Sequence, residues 1–138
     1  MPQPRPIQPD GRLHGVAIGC RREDGKWLCI RRSATVAAPL KVCFPGGAIE
    51  IGESQESAVV REMREELSAE VRPIANVWHW ERPDGNLTLW GWTAQLLNHH
   101  LKADPLEVAE IFWLTGKEVA EHPDAMPSNT LFVAALEG

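Results

Sequence analysis

The stretch QESAVVREMREEL, residues 55–67, holds neither proline nor glycine and carries two unlike faces at helical spacing. Val59, Val60, Met63 and Leu67 fall on one side of an α-helix. Glu62, Glu65 and Glu66 stand at i, i+3 and i+4, so three carboxylates share another side. Ser54 is placed to cap the first turn, because its side-chain oxygen can take up a free backbone N–H. A helix with one apolar side needs a second layer to bury it. The acids are expected to point away from that layer. Like charges at this spacing each cost a helix a few tenths of a kcal/mol, and no lysine is interleaved to relieve them.

The second layer is legible on both sides of the helix. LHGVAIGC and KWLCIRR precede it, and AEVRPIANVWHWE, LTLWGWTAQLL and EIFWL follow, all apolar runs of strand character. Asp24-Gly25 is a two-residue hairpin signal that pairs Arg22 with Trp27 and Cys20 with Cys29. LKVCFPGGAIEIGE reads as a short strand entering a glycine-rich loop. TGKEVAEH opens a helix with Thr115 as its cap and Pro123 beyond it, and MPSNTLFVAALEG gives a last helix. Helices with a mixed sheet make this an α/β layered fold.

The 138 residues suit one domain, and 43% hydrophobic content supports an ordinary core. Residues 1–11, with four prolines, are expected as an extended, flexible tail, leaving 12–138 as the domain. No apolar h-region or span-length run occurs, so neither a signal peptide nor a membrane partner is expected. Net charge is -5, which gives no general attraction to nucleic acid. Cys20, Cys29 and Cys43 are odd in number and form no CxxC pair, so reduced, packed thiols and a cytoplasmic protein are the simplest reading. Trp78 and Trp80 share one strand face, as do Trp90 and Trp92. Core packing is the favoured role for these rings, with base stacking as the alternative.

The acidic face has company. Gly46, Gly47 and Gly52 lie just before the helix, Glu53 sits at the junction, and Arg61 stands beside the carboxylates. Carboxylates on one helix face with carbonyls from a nearby loop form an oxygen-rich site for a hard divalent cation. Such a cation offsets the mutual repulsion of the acids, and it can clamp a pyrophosphate and help water attack it.

Gly47, then five residues to Glu53, then seven residues to REMREELSA, resembles the Nudix box. Gly47, Glu53, Arg61, Glu62, Glu65 and Glu66 match its glycine and charged positions, and Met63 fills an aliphatic slot. Ser68 stands where the family has glycine, and Ala69 where it has a larger aliphatic residue. IRRSA, FPGGAIEIGES, RPDGNLTLWGW and PSNTLFVAAL are similar, in order and spacing, to segments of MutT-type nucleoside triphosphate pyrophosphohydrolases.

The resemblance implies a Nudix α/β/α sandwich with a mixed sheet, and a Mg²⁺ or Mn²⁺ cofactor. It implies metal ligation by Glu62, Glu65, Glu66 and the Gly46 carbonyl. Glu53 would support the site or assist the base, and Arg61 orient the acids. A further glutamate before the Trp113 strand would join the metals or act as base; Glu107 matches by spacing, with Glu110 as rival. Arg32 would contact phosphate or nucleotide, Phe44 would line the base pocket, and Asp84 and Asn129 would read a purine edge. Gly85 stands where the enzyme for oxidised guanine has an arginine. The implied activity is hydrolysis of a (d)NTP to a monophosphate and pyrophosphate, with ADP-ribose or another nucleotide derivative as an alternative substrate. A ligand-sensing Nudix module without catalysis is the alternative of another class. The implied partner is a small nucleotide, and the chain is expected as a monomer or homodimer.

Overall fold

The computed structural model describes residues 5–138. Its elements in chain order are β1 (Leu13–Gly19), β2 (Trp27–Arg32), β3 (Val42–Cys43), β4 (Gly46–Ala48), α1 (Gln55–Leu67), β5 (Val71–Glu81), β6 (Leu87–Leu96), β7 (Val108–Leu114), α2 (Gly116–Glu121) and α3 (Asn129–Glu137). One sheet has the order β4-β1-β6-β5 and the other β3-β2-β7. β1 and β6 run parallel, and the other pairings between these strands are antiparallel. The result is a mixed α/β sandwich with helices on both sides.

Alternation along β2 shows how the layers are held. Leu28 and Ile30 enter a core with Val16, Ile18, Val59, Met63 and Leu67 beneath α1. Trp27 and Cys29 enter a second core with Phe44, Val119 and Phe132 beneath α2 and α3. Successive strand side chains point to opposite faces, so one short strand serves both cores.

The hairpin register differs from the expected one. Arg21, not Arg22, lies opposite Trp27, and the Arg22 N–H donates to the Lys26 carbonyl at 2.8 Å. The loop is therefore Glu23-Asp24-Gly25, with Gly25 at φ 84°, a three-residue turn that glycine favours. A one-residue slip reverses facing: Cys20 joins the α1-side core and Cys29 the other. All three cysteines are free and buried.

Two other segments also differ. The glycine-rich loop is itself a strand, β4, paired with β1. Of the segment expected as a tail, residues 5–11 are described and are tied down in part. Ile7 bridges Leu13, and Gln8 Nε2 donates to the Ile49 carbonyl at 3.1 Å; residues 1–4 lie outside the described residues. Among the described residues no helix is long and apolar enough to cross a membrane.

Candidate active site

α1 begins and ends as local chemistry directs. Ser54 accepts the Ser57 N–H at 3.1 Å. Ser68 closes the helix at φ 52°, ψ 31°, with its N–H donating to the Arg64 carbonyl. These ends set the length of the helix, and its contacts with the β4 edge turn Glu66 inward.

Two of the three acids, Glu62 and Glu66, do not point away from the packing layer, whereas Glu65 is exposed. Glu66 is only 4% exposed, and its Oε1 accepts the Gly46 N–H at 2.9 Å. The register of β4 makes this bond available. Pro45 and Ile49 pair with β1 through the Ile18 and His14 backbones, so the intervening Gly46 and Ala48 turn their N–H and C=O groups toward the free edge of the sheet. That edge faces α1. The Gly46 carbonyl therefore lies on the same side as its N–H, and the Ala48 carbonyl accepts from Arg61 Nη2 at 2.8 Å. A Cβ at Gly46 would collide with the Val16 carbonyl, and one at Gly47 with the Glu62 carboxylate. Close approach of backbone and acid is what these glycines allow.

Burial raises the Glu66 carboxyl to about 8 and the Glu62 carboxyl to about 7; in both, nearby carboxylates push the same way. Arg61 partly relieves Glu62, and the Gly46 N–H and Arg32 do the same for Glu66. The Arg61 Nε and Nη2 form a two-pronged bond with Glu53 at 2.9 Å each, and Nη1 reaches Glu62 at 3.0 Å and Glu65 at 3.2 Å. The Arg61 guanidinium holds Glu53 below the usual carboxylate range, and Glu53 in turn raises Arg61. Glu53 also accepts the Glu50 N–H at 3.0 Å. Both its oxygens are engaged, so Glu53 holds Arg61 in direction.

A cavity of about 730 Å³ opens beside this cluster. Glu62, Glu65, Glu66, Glu107, Asp104 and the Gly46–Ala48 strand line one part; Phe44, Trp78, Phe132, Met126 and Asn129 line another; Arg32 also faces it. Glu107 is on the loop before β7, and its carboxylate makes no hydrogen bond or ion pair among the described residues. Glu110 pairs with Arg31 at 3.0 Å and is absent from the lining. A register shift between Arg31 and Arg32 separates these neighbours, and Arg32 bonds the Ala37 carbonyl through Nε at 2.7 Å.

Phe44 is both core and wall, edge-on to Phe132 with centroids 4.8 Å apart. Asn129 is buried, and its Nδ2 donates to the Val42 carbonyl at 2.8 Å. The helix cap position belongs to Ser128. Asp84 departs from expectation. It sits in the β5–β6 turn outside the cavity, paired with Arg82 at 2.8 Å and accepting the Asn86 N–H at 2.9 Å. A short aspartate satisfied by its own turn has no reach to a base.

The tryptophans divide by sheet face. Trp90 and Trp92 pack into the α1-side core. Trp78 faces the cavity and stacks on Phe132, 5.1 Å between centroids at 22°. Gly91 makes the room: a Cβ there would meet Phe132 at 2.6 Å and Trp78 at 2.8 Å. The motif did not point to Asp104, Phe132 or Arg82. The alternation Trp78, Trp80, Arg82 on one strand face could have found the last of these.

The donor set suits a hard divalent cation by type, since it is carboxylate oxygen plus an edge carbonyl. Among the described residues no three of the acids converge on one point as they stand. Arg61 occupies Glu62 and Glu65 from one side, and Glu65 is half exposed.

A family model for the NUDIX domain matches residues 12–136. The chain is similar to the 8-oxo-dGTP diphosphatase of Escherichia coli (strain K12), with 31% identity over 125 residues, 88% of this chain and 95% of that one. It is 36% identical over 113 residues to the ADP-ribose pyrophosphatase of Methanocaldococcus jannaschii; the match takes in 75% of this chain and 65% of that protein, just under two thirds of its length. Its fold is similar to the crystal structure of a MutT protein from Methanosarcina mazei Go1, with a TM-score of 0.78 over 98% of this chain and 96% of that one; at 18% identity the likeness is one of fold.

Proposed function

The chain belongs to the Nudix hydrolase family, and from that premise we propose that it hydrolyses a nucleoside triphosphate to a monophosphate and pyrophosphate, with Mg²⁺ or Mn²⁺. One observation carries the reading: a single cavity joins a buried carboxylate cluster to an aromatic wall beside Asn129. Phosphates suit the first part and a base the second.

Glu62, Glu65, Glu66, Glu107 and the Gly46 carbonyl would hold the cation. When bound, it supplies the positive charge that lets phosphates sit against carboxylates and that stabilises the leaving oxygen. The chain does the rest. The Gly46 N–H fixes the Glu66 carboxylate. Glu53 holds Arg61, and Arg61 holds the Glu62 and Glu65 oxygens on the cavity side. Arg32 contacts a phosphate. Phe44 walls the base, and the Asn129 Oδ1 accepts from it. Water adds to a phosphorus, the bond to the leaving phosphate oxygen breaks, and the proton of the water passes to Glu107, whose carboxylate bonds no protein group among the described residues. Three buried free thiols favour a cytoplasmic setting.

The likeness to an ADP-ribose pyrophosphatase favours a second substrate class, so ADP-ribose belongs beside the triphosphates in the assay. The test is pyrophosphate release from each nucleotide in Mg²⁺, Mn²⁺ and EDTA, with Glu66→Gln as control. Loss of this buried carboxylate is expected to lower turnover by about two to four decades with the fold intact. A folded Glu66→Gln protein with near-normal turnover contradicts the assignment.

A further inference from the structure

Arg82 follows β5 directly, and its N–H donates to the Leu87 carbonyl at 2.9 Å. Trp78, Trp80 and Arg82 alternate onto one face of the sheet, the first two opposite Gly91 and Leu89. Trp78 and Arg82 of that face line the cavity, and Arg82 lies at its β5 side. Three strand spacings separate β5 from β4, about 14 Å at ~4.8 Å each. The acidic cluster is therefore at one end and the Arg82 guanidinium at the other.

The guanidinium is oriented. Its Nε lies 2.9 and 2.8 Å from the two Asp84 oxygens, and the Asn86 N–H pins Asp84. Both Nη groups lack partners among the described residues, although Arg82 lines the cavity. A fork of two parallel donors fits a carboxylate, a phosphate, or the O6/N7 pair of a guanine-type base. The wall beside it is Leu13, Leu87 and Leu89, which suits a planar base better than a second anion.

We propose that Arg82, held in direction by Asp84, is a specificity-determining residue that donates its free Nη groups to the paired acceptors of a 6-oxopurine. The inference rests on the nucleotide reading above. Asn129 supports it from another wall. Its Nδ2 donates one hydrogen to the Val42 carbonyl, which orients the amide and leaves Oδ1 as an acceptor. Donors facing O6 and N7, with an acceptor facing base N–H groups, match guanine. Adenine sets an amino group against the guanidinium and a bare ring nitrogen against Oδ1. Asp84 touches no ligand and acts through Arg82 as a positioning residue.

The test compares kcat/KM for dGTP and dATP in the wild type, Arg82→Lys, Arg82→Gln, Asp84→Asn and Asp84→Glu. Both Arg82 variants are expected to lose about tenfold or more on dGTP and little on dATP, since lysine keeps the charge but not the fork. Asp84→Asn is expected to raise KM for dGTP with kcat unchanged, and Asp84→Glu to recover part of it. Product inhibition of the wild type by dGMP and dAMP gives a check that needs no variant; tighter dGMP is expected. Equal losses on both substrates, no loss at all, or tighter dAMP overturns the proposal. A wild type that hydrolyses no nucleotide instead removes the activity on which it rests.

Discussion

Glu66 occupies an environment that suits a carboxylate poorly on its own. It is buried, faces Glu62, and has one backbone N–H for company. Such a group is more often a working part than a structural one. The same reasoning separates Glu107 from Glu110. Glu110 is held by Arg31 on the outer strand face, whereas Glu107 faces the cavity and its carboxylate bonds no protein group among the described residues. Glu107→Gln is expected to lower kcat by about two decades or more, and Glu110→Gln to leave it within about threefold, because an exposed ion pair contributes little. Steady-state rates on one substrate decide, and the reverse order would reassign the proton acceptor. Spacing in the sequence already favoured Glu107. It misplaced Asp84, because a residue's position along a turn does not say whether its side chain is consumed by that turn.

At the scale of elements, α1 was readable to the residue because its signals are local: a cap, an apolar stripe and no breaker. Its C-terminal end tests the family pattern. Ser68 takes the left-handed conformation that glycine adopts freely. Ser68→Gly is therefore expected to stabilise the chain by up to about 1 kcal/mol, less any gain in unfolded-chain freedom. Equilibrium urea unfolding measures it, and a lower midpoint would mean that the serine side chain contributes something the glycine loses. The readings that failed at this scale depended on non-local partners. β4 is a strand only because β1 lies beside it. The rotation that buries Glu66 is set by the sheet edge rather than by the helix, so the spacing of the acids could place them on one face without saying which way that face turns. The hairpin was misread by one residue because Asp-Gly also serves a three-residue loop.

For the whole molecule, the raised carboxyls tie stability to pH. Glu62 and Glu66 titrate near 7 and 8 in the native chain, against an ordinary value near 4.5. Between those values the native state binds more protons than the unfolded state, so stability falls as pH rises through them. The paired carboxylates with lowered values, such as Glu53, act below this window. The melting temperature in EDTA is expected to drop by several degrees from pH 5 to pH 8.5, and less in Glu66→Gln. Added Mg²⁺ or Mn²⁺ should restore more at the higher pH, because ligation needs the ionised form. A metal-free protein whose melting temperature is flat across this range would show that these carboxyls are not raised. The fold class was legible at this scale because strands flank the helix on both sides. The division into two sheets was not, since it depends on which distant strands pair. The parallel pairing of β1 with β6 has a further consequence, for the order in which the chain can assemble. Leu13 meets Leu87 and Gly19 meets Thr93, so the strand made first must wait for one far along the chain. β4, which carries Gly46, is bonded among the described residues to no strand but β1. During synthesis the acidic helix is therefore complete well before the sheet edge that orients its carboxylates is secured. Contacts of such long separation slow folding, into milliseconds or longer for topologies rich in them. The site is thus a late product of folding, and a chain halted before β6 would carry the full set of motif acids without the floor that makes them a site.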